Sequence, residues 1–141
     1  MLVKIEKETN GYHWAQYLLG DCYQYGSGVG QDDKKRFQYY SLSSEQDNSL
    51  ATNNLGYCYD KGEGTDVNKT KAFELYEKSA NLGCCKAMYN LGGCYQIGTG
   101  VVKDQHKAIE WYTKSAAQGE DVAQTALDEA QTALDEVNAG V

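Results

Sequence analysis

The stretch Ala87-Met-Tyr-Asn-Leu91-Gly92-Gly93-Cys94-Tyr95-Gln-Ile-Gly98-Thr-Gly100, continued by Asp104 and by Lys107-Ala108-Ile-Glu-Trp111-Tyr112-Thr-Lys-Ser115, decides the fold. Its residue types return 36 positions earlier, and again 36 before that, without a gap. Ala15, Ala51, Ala87 and Ala123 form one column; Leu19, Leu55, Leu91 and Leu127 form another. Gly20/Gly56/Gly92, Tyr23/Tyr59/Tyr95, Gly26/Gly62/Gly98, Gly28/Gly64/Gly100, Lys35/Lys71/Lys107, Tyr40/Tyr76/Tyr112 and Ser43/Ser79/Ser115 follow in register, with Phe37 and Phe73 aligned to Ile109. Self-similarity at a fixed period of this size marks an array of stacked supersecondary units.

Each unit reads as two helices. Ala87, Leu91, Cys94 and Tyr95 recur at three- and four-residue steps, which puts them on one helical face. Gly98 supplies the left-handed residue a helix end favours, and Gly100 keeps the connection tight. The column Asp32/Asn68/Asp104 offers side-chain oxygens that cap the next helix, whose stripe is Ala108, Trp111, Tyr112 and Ser115. Gly83 and Gly119 end it, with Gly11 in the same register. The spacing predicts A helices over 13–25, 49–61 and 85–97, and B helices over 33–46, 69–82 and 105–118. Gly20, Gly56 and Gly92 fall inside A helices, where glycine costs about 1 kcal/mol against alanine. A partner helix approaching too closely for a Cβ accounts for them.

Working outward, three repeats occupy 12–47, 48–83 and 84–119. Residues 1–11 align with the end of a B helix, as the remnant of a preceding repeat in a longer array. Residues 120–141 open like a fourth A helix, with an apolar stripe through Val122, Ala123, Ala126, Leu127, Ala130, Ala133, Leu134 and Val137, and form an acidic capping helix. The heptad Ala-Gln-Thr-Ala-Leu-Asp-Glu occurs twice there, at 123–129 and 130–136, as a natural or an engineered extension. This end holds six acidic residues and no Lys or Arg, so of the net charge of −7 the rest of the chain carries only −1. A near-neutral body with no basic cluster argues against nucleic acid and against an anionic membrane surface. With 41% hydrophobic and 23% charged residues the 141-residue chain suits one globular domain. No apolar run reaches the length of a membrane helix. The opening Met-Leu-Val-Lys-Ile-Glu-Lys-Glu-Thr mixes charge into its apolar residues, unlike a secretory signal, so a cytoplasmic address is expected.

Leu91-Gly-Gly-Cys-Tyr95, Gly98-Thr-Gly-Val101, Asp104, Lys107-Ala108, Trp111-Tyr112-Thr-Lys-Ser-Ala-Ala117 and Gly119 together resemble the Sel-one-like repeat, a relative of the tetratricopeptide repeat. The likeness spans residues 12–119. Repeat two departs from the pattern at Thr65, where valine is usual. Repeat one has Arg36 in place of a small alanine, and Ser41-Leu-Ser-Ser-Glu-Gln-Asp47 in place of the usual alanine and glycine stretch. The resemblance implies an all-α fold, a right-handed α–α superhelix (a solenoid), and a role in assembling protein complexes. It names no partner.

Chemistry-bearing residues are few. Cys22, Cys58 and Cys94 form a column on the inward side of the A helices and read as small buried hydrophobes. Cysteine-rich relatives staple helix A to helix B, but no B helix here contains a cysteine. Cys84-Cys85 lacks zinc-ligand spacing. His13 and His106 stand in distant repeats with no nucleophile assigned to either. The Gly-x-Gly turns follow no strand and precede no Gly-Lys-Ser/Thr, so they cradle no phosphate. Asn68-Lys-Thr70 fits a glycosylation pattern, yet Asn68 already serves as a cap. These readings expect no catalytic residues, metal or cofactor, and not an enzyme.

Carrying over the groove-facing positions of the tetratricopeptide A helix, as the resemblance implies, selects Trp14, Tyr17, Asp21 and Gln24 in repeat one. It selects Leu50, Asn53, Tyr57 and Asp60 in repeat two, and Lys86, Tyr89, Gly93 and Gln96 in repeat three. This surface varies where the framework stays constant, and tyrosine and tryptophan are frequent interface anchors. The expected function is a protein-binding scaffold holding a peptide or partner surface, as a monomer or with weak self-association. The alternative is a structural spacer or self-associating unit with an empty groove. A β-lactam-binding activity like that linked with cysteine-rich relatives ranks far behind, since their cysteine arrangement is missing.

Overall fold

In a computed structural model of the chain, residues 11–140 are described, and they form seven helices and no strand. In chain order these are α1 (His13–Tyr25), α2 (Asp33–Ser44), α3 (Ser49–Lys61), α4 (Lys69–Asn81), α5 (Cys85–Ile97), α6 (Gln105–Ala117) and α7 (Asp121–Asn138). The odd-numbered helices through α5 are the A helices and α2, α4 and α6 are the B helices, with the predicted A bounds met at both ends. The remnant of an earlier B helix read from residues 1–11 lies, but for Gly11, outside the described residues. Every extensive contact joins helices adjacent in sequence, so the hairpins stand in a row as an α-solenoid, not a closed bundle.

The local chemistry explains the boundaries. Asp32, Asn68 and Asp104 each accept the backbone N–H three residues on, from Lys35, Lys71 and Lys107, and so cap the B helices. Gly26, Gly62 and Gly98 end the A helices in left-handed conformation, at φ 70°, 73° and 84°. Repeat one has no glycine to follow its B helix. Asp47 adopts that backbone instead, at φ 59°, and α2 stops at Ser44, two residues short of the expected end.

The glycines inside the A helices have the close-approach role expected of them. A Cβ on Gly20, Gly56 or Gly92 would come 2.5, 2.9 or 2.6 Å from the ring of Tyr40, Tyr76 or Tyr112 in the B helix of the same repeat. The serine column locks the opposite end of each hairpin. Ser43, Ser79 and Ser115, all fully buried, donate to the carbonyls of His13, Ser49 and Cys85, at 2.5, 2.7 and 2.7 Å. Between repeats, Phe37 meets Tyr59 edge-on and Phe73 meets Tyr95 in the same way, with ring centroids 5.4 and 5.5 Å apart. Gly64 and Gly100 do more than shorten a loop. A Cβ on either would collide with the carbonyl oxygen of Asp33 or Lys69, at the start of the preceding B helix.

Two departures from periodicity are resolved structurally. Arg36, in the place of Ala72 and Ala108, is buried and pairs with Glu63 from the next repeat, with Asp33 Oδ1 3.7 Å away. Burial works against its charge, but the Glu63 bond and the neighbouring negative charges, Glu63 and Asp33 among them, together outweigh that and raise its pKa. Its Nε has no hydrogen-bond partner among the described residues. The stripe of α7 is covered only in part: Ala123 and Ala130 are fully buried and Ala126 and Leu127 pack on the core, whereas Val137 is 72% exposed.

Candidate functional site

The residues selected on the A helices divide into open and engaged groups. Trp14 is 56% exposed and lies edge-on to Tyr17, whose own ring leans on Tyr40. Burial, and then Asp21, push the Tyr17 phenol up to about 12. Tyr57 is 43% exposed, with the Lys61 ammonium 6.0 Å from its ring centre. Lys86 is exposed, and Tyr89 is half-buried against Tyr112 at 5.7 Å. Leu50 is partly buried against the core.

The polar members are engaged inside the framework. Asp21 Oδ1 accepts from the Tyr40 hydroxyl at 2.6 Å, with Gln24 Oε1 at 2.5 Å from the same oxygen. Gln96 accepts from the Tyr112 hydroxyl at 2.6 Å. Asn53 is buried: its Oδ1 accepts from Asn90 at 2.9 Å, which ties α3 to α5, and its amide reaches Asn54. Asp60 holds Lys69 at 2.6 Å, and Lys69 also donates to the Asp60 carbonyl. Buried tyrosine hydroxyls, Asn90 and Lys69 occupy the acceptor atoms of these residues, which the transfer of groove positions does not anticipate. The repeating tyrosine column, offset by sixteen from Gln24 and Gln96, was the available signal.

Two clefts are lined in part by these residues. The smaller, about 140 Å³, is lined by Gln24, Arg36, Asn53, Asn54, Tyr57 and Cys58. The larger, about 480 Å³, lies between the second and third repeats, with Gly93 in its wall where the preceding repeats have Asp21 and Tyr57. That volume falls in the range of small-ligand sites.

The remaining chemistry-bearing groups are placed as follows. His13 Nδ1 lies 3.0 Å from the Asn48 amide at the junction of repeats one and two, and His106 is exposed. All five cysteines are free thiols; Cys58, Cys84 and Cys94 are buried and Cys22 and Cys85 half-buried. Burial pushes the Cys94 thiol up to about 11. Among the described residues no three His, Cys, Asp or Glu side chains converge as a metal site, and no helix is long and apolar enough to cross a membrane.

The chain matches the Sel1 repeat family over residues 15–48, 49–84 and 85–120. Among solved structures it is similar to a Sel1 repeat protein from Oxalobacter formigenes, at 34% identity and a TM-score of 0.80, over 91% of this chain and 97% of that one. It is also similar to c5321, a protective antigen of uropathogenic Escherichia coli with an SLR fold, at 33% identity and a TM-score of 0.78. That match covers 81% of this chain but 24% of the antigen. Helicobacter pylori cysteine rich protein B aligns at 26% identity and a TM-score of 0.70, over 86% of this chain and 93% of that one. No curated protein is significantly similar in sequence. Sel1 repeats generally serve protein–protein interaction and are typically non-catalytic. With three consecutive matched repeats spanning most of its length, this chain belongs to the Sel1 repeat family.

Proposed function

We propose that this protein is a binding module whose A-helix face, the concave side of the array, holds an extended or helical peptide segment of a partner protein. What supports the reading is the exposure of Trp14 and Tyr57, both at positions carried over to the groove, together with the 480 Å³ cleft walled by Asp60, Tyr89, Gly93 and Gln96 from the same set of positions. Tyr17 and Tyr89 extend the aromatic surface but also pack on the framework tyrosines. Rigid amphipathic rings supply contact area at low entropic cost, and Lys86 adds a charge at the rim.

The test follows from that division. A peptide selected by display against the purified chain should lose roughly tenfold or more in affinity on combined Trp14→Ala and Tyr57→Ala, a loss typical of anchor residues. Circular dichroism should stay unchanged, because neither ring is buried. Retained affinity rejects the face.

One observation favours a second reading. Leu134 and Val137 of α7 line a cleft of about 280 Å³ with Gln96, Lys103 and Gln105, leaving apolar surface uncovered at the end of the row. A self-associating unit would bury it. Light scattering over a range of concentrations separates the two: a constant monomer mass supports the peptide-binding reading, and a rising mass supports assembly.

A further inference from the structure

The tyrosine column of the B helices gives each repeat one phenol pointing up between the A helices, and two of the three are satisfied internally. Tyr40 reaches Asp21 and Gln24; Tyr112 reaches Gln96. Repeat two has changed both acceptor positions. Tyr57 stands where Asp21 would be, and Asp60 stands in the glutamine position but is bound to Lys69. The Tyr76 side chain is therefore left without a hydrogen-bond partner among the described residues, although the residue is only 2% exposed and lines the large cleft. A phenol held this way keeps its proton and offers it to whatever enters.

The cleft has a second property. Lys61 and Lys69 both line it, against the single carboxylate of Asp60. Asp60 is already neutralised by Lys69 at 2.6 Å, with Lys61 at 3.7 Å. One positive charge is in excess beside an unused O–H donor. The space is larger at this junction because Gly93 removes the side chain that Tyr57 places in the equivalent position one repeat earlier, where the cleft is about 140 Å³. A site with a donor, surplus positive charge and room for a side chain selects an anion of side-chain size.

We propose that the cleft between repeats two and three receives a carboxylate of the bound peptide, with Tyr76 donating its hydroxyl proton and Lys61 and Lys69 supplying the charge. This rests on the A-helix face being the peptide site. The carboxylate comes from an internal Asp or Glu or from a chain end, and the two sources share this chemistry.

The test uses three capped pentapeptides and amide chemical shifts of the isotopically labelled protein. Acetyl-AAEAA-amide carries only an internal carboxylate, acetyl-AAQAA with a free C-terminus only a terminal one, and acetyl-AAQAA-amide none. At least one of the first two should shift the Asn90, Gly93 and Thr99 amides saturably in the millimolar range, and the one that does identifies the source. Tyr76→Phe should weaken that binding roughly tenfold, the loss for one hydrogen bond to a charged group, and Gly93→Tyr should abolish it by filling the space. Equal binding of the neutral peptide, an unaffected Tyr76→Phe variant, or no shift with either acid overturns the proposal. The display-selected peptide keeps the two readings apart. If it is lost with Trp14→Ala and Tyr57→Ala but bound at full strength by Tyr76→Phe, the face stands and the carboxylate site falls.

Discussion

Gly92 and Gly93 are neighbours in the same helix, and replacing each by alanine should move stability in opposite directions. Both substitutions bring the same gain in helix propensity, up to about 1 kcal/mol. They differ in what the new methyl meets. At Gly92 it would lie 2.6 and 2.7 Å from two ring carbons of Tyr112. That ring is buried, tethered through its hydroxyl to Gln96 at 2.6 Å and backed by Tyr89, so it has nowhere to retreat. Overpacking of this kind costs about 1–3 kcal/mol. At Gly93 the nearest atom outside the helix is the Tyr112 hydroxyl at 3.7 Å, an ordinary contact. Gly93→Ala should therefore stabilise by about 0.5–1 kcal/mol and Gly92→Ala should destabilise. The gap between them, at least about 1 kcal/mol, isolates the collision because propensity cancels. Urea unfolding followed by far-ultraviolet circular dichroism measures both. Changes of the same sign within about 0.5 kcal/mol of each other would refute the idea that the A–B contact sets the glycine, since that is the size of an unremarkable surface substitution.

Four further outcomes are expected. Asp47→Gly should stabilise by about 0.5 kcal/mol in the same assay, because relief of the positive φ exceeds the loss of the exposed Asp47–Lys78 pair at 3.0 Å. Tyr40→Phe should cost about 1 kcal/mol through its lost bonds to Asp21 and Gln24, whereas Tyr76→Phe should be neutral in the absence of ligand. Stability should decline as pH rises from about 9 towards 12. Cys94, at about 11, and Tyr17 and Tyr112, at about 12, hold their protons in the fold longer than in the unfolded chain, so that the stabilisation is complete below the unfolded values and lost on passing the folded ones. Denaturant midpoints across that range test the sign. A thiol reagent at neutral pH should label Cys22 and Cys85 first and reach Cys58, Cys84 and Cys94 at the rate of unfolding, as peptide mapping would show.

Much of the architecture is legible in the residues because a repeat states each environment several times. The cap column, the glycines that end the A helices and those inside them are each explained by one local interaction, and a local interaction leaves its mark at fixed spacing. What escapes such reading is the pairing between columns. Nothing in the serine column names the first carbonyl of helix A as its acceptor, thirty residues upstream. Arg36 looks like a defect until Glu63 from the next repeat is placed beside it, and no other repeat contains that pair to signal the link. The candidate site is harder still. The open state of Tyr76 depends on two substitutions, at Tyr57 and Asp60, and on Lys69 capturing the second of them. Periodicity reveals what stays constant, whereas a binding face is made of what changes.

The meeting of Gly64 and Gly100 with the backbone carbonyls of Asp33 and Lys69 has its own consequence. Neighbouring repeats are spaced there chiefly by main chain against main chain, with the Cβ of Phe37 or Phe73 alongside. The pitch of the array is thus insulated from drift on the A-helix surface. Residues such as Trp14, Tyr57 and Lys86 can be rewritten one at a time while the ruler beneath them keeps its divisions, which makes this chain a frame on which new specificities can be composed by exchanging whole repeats.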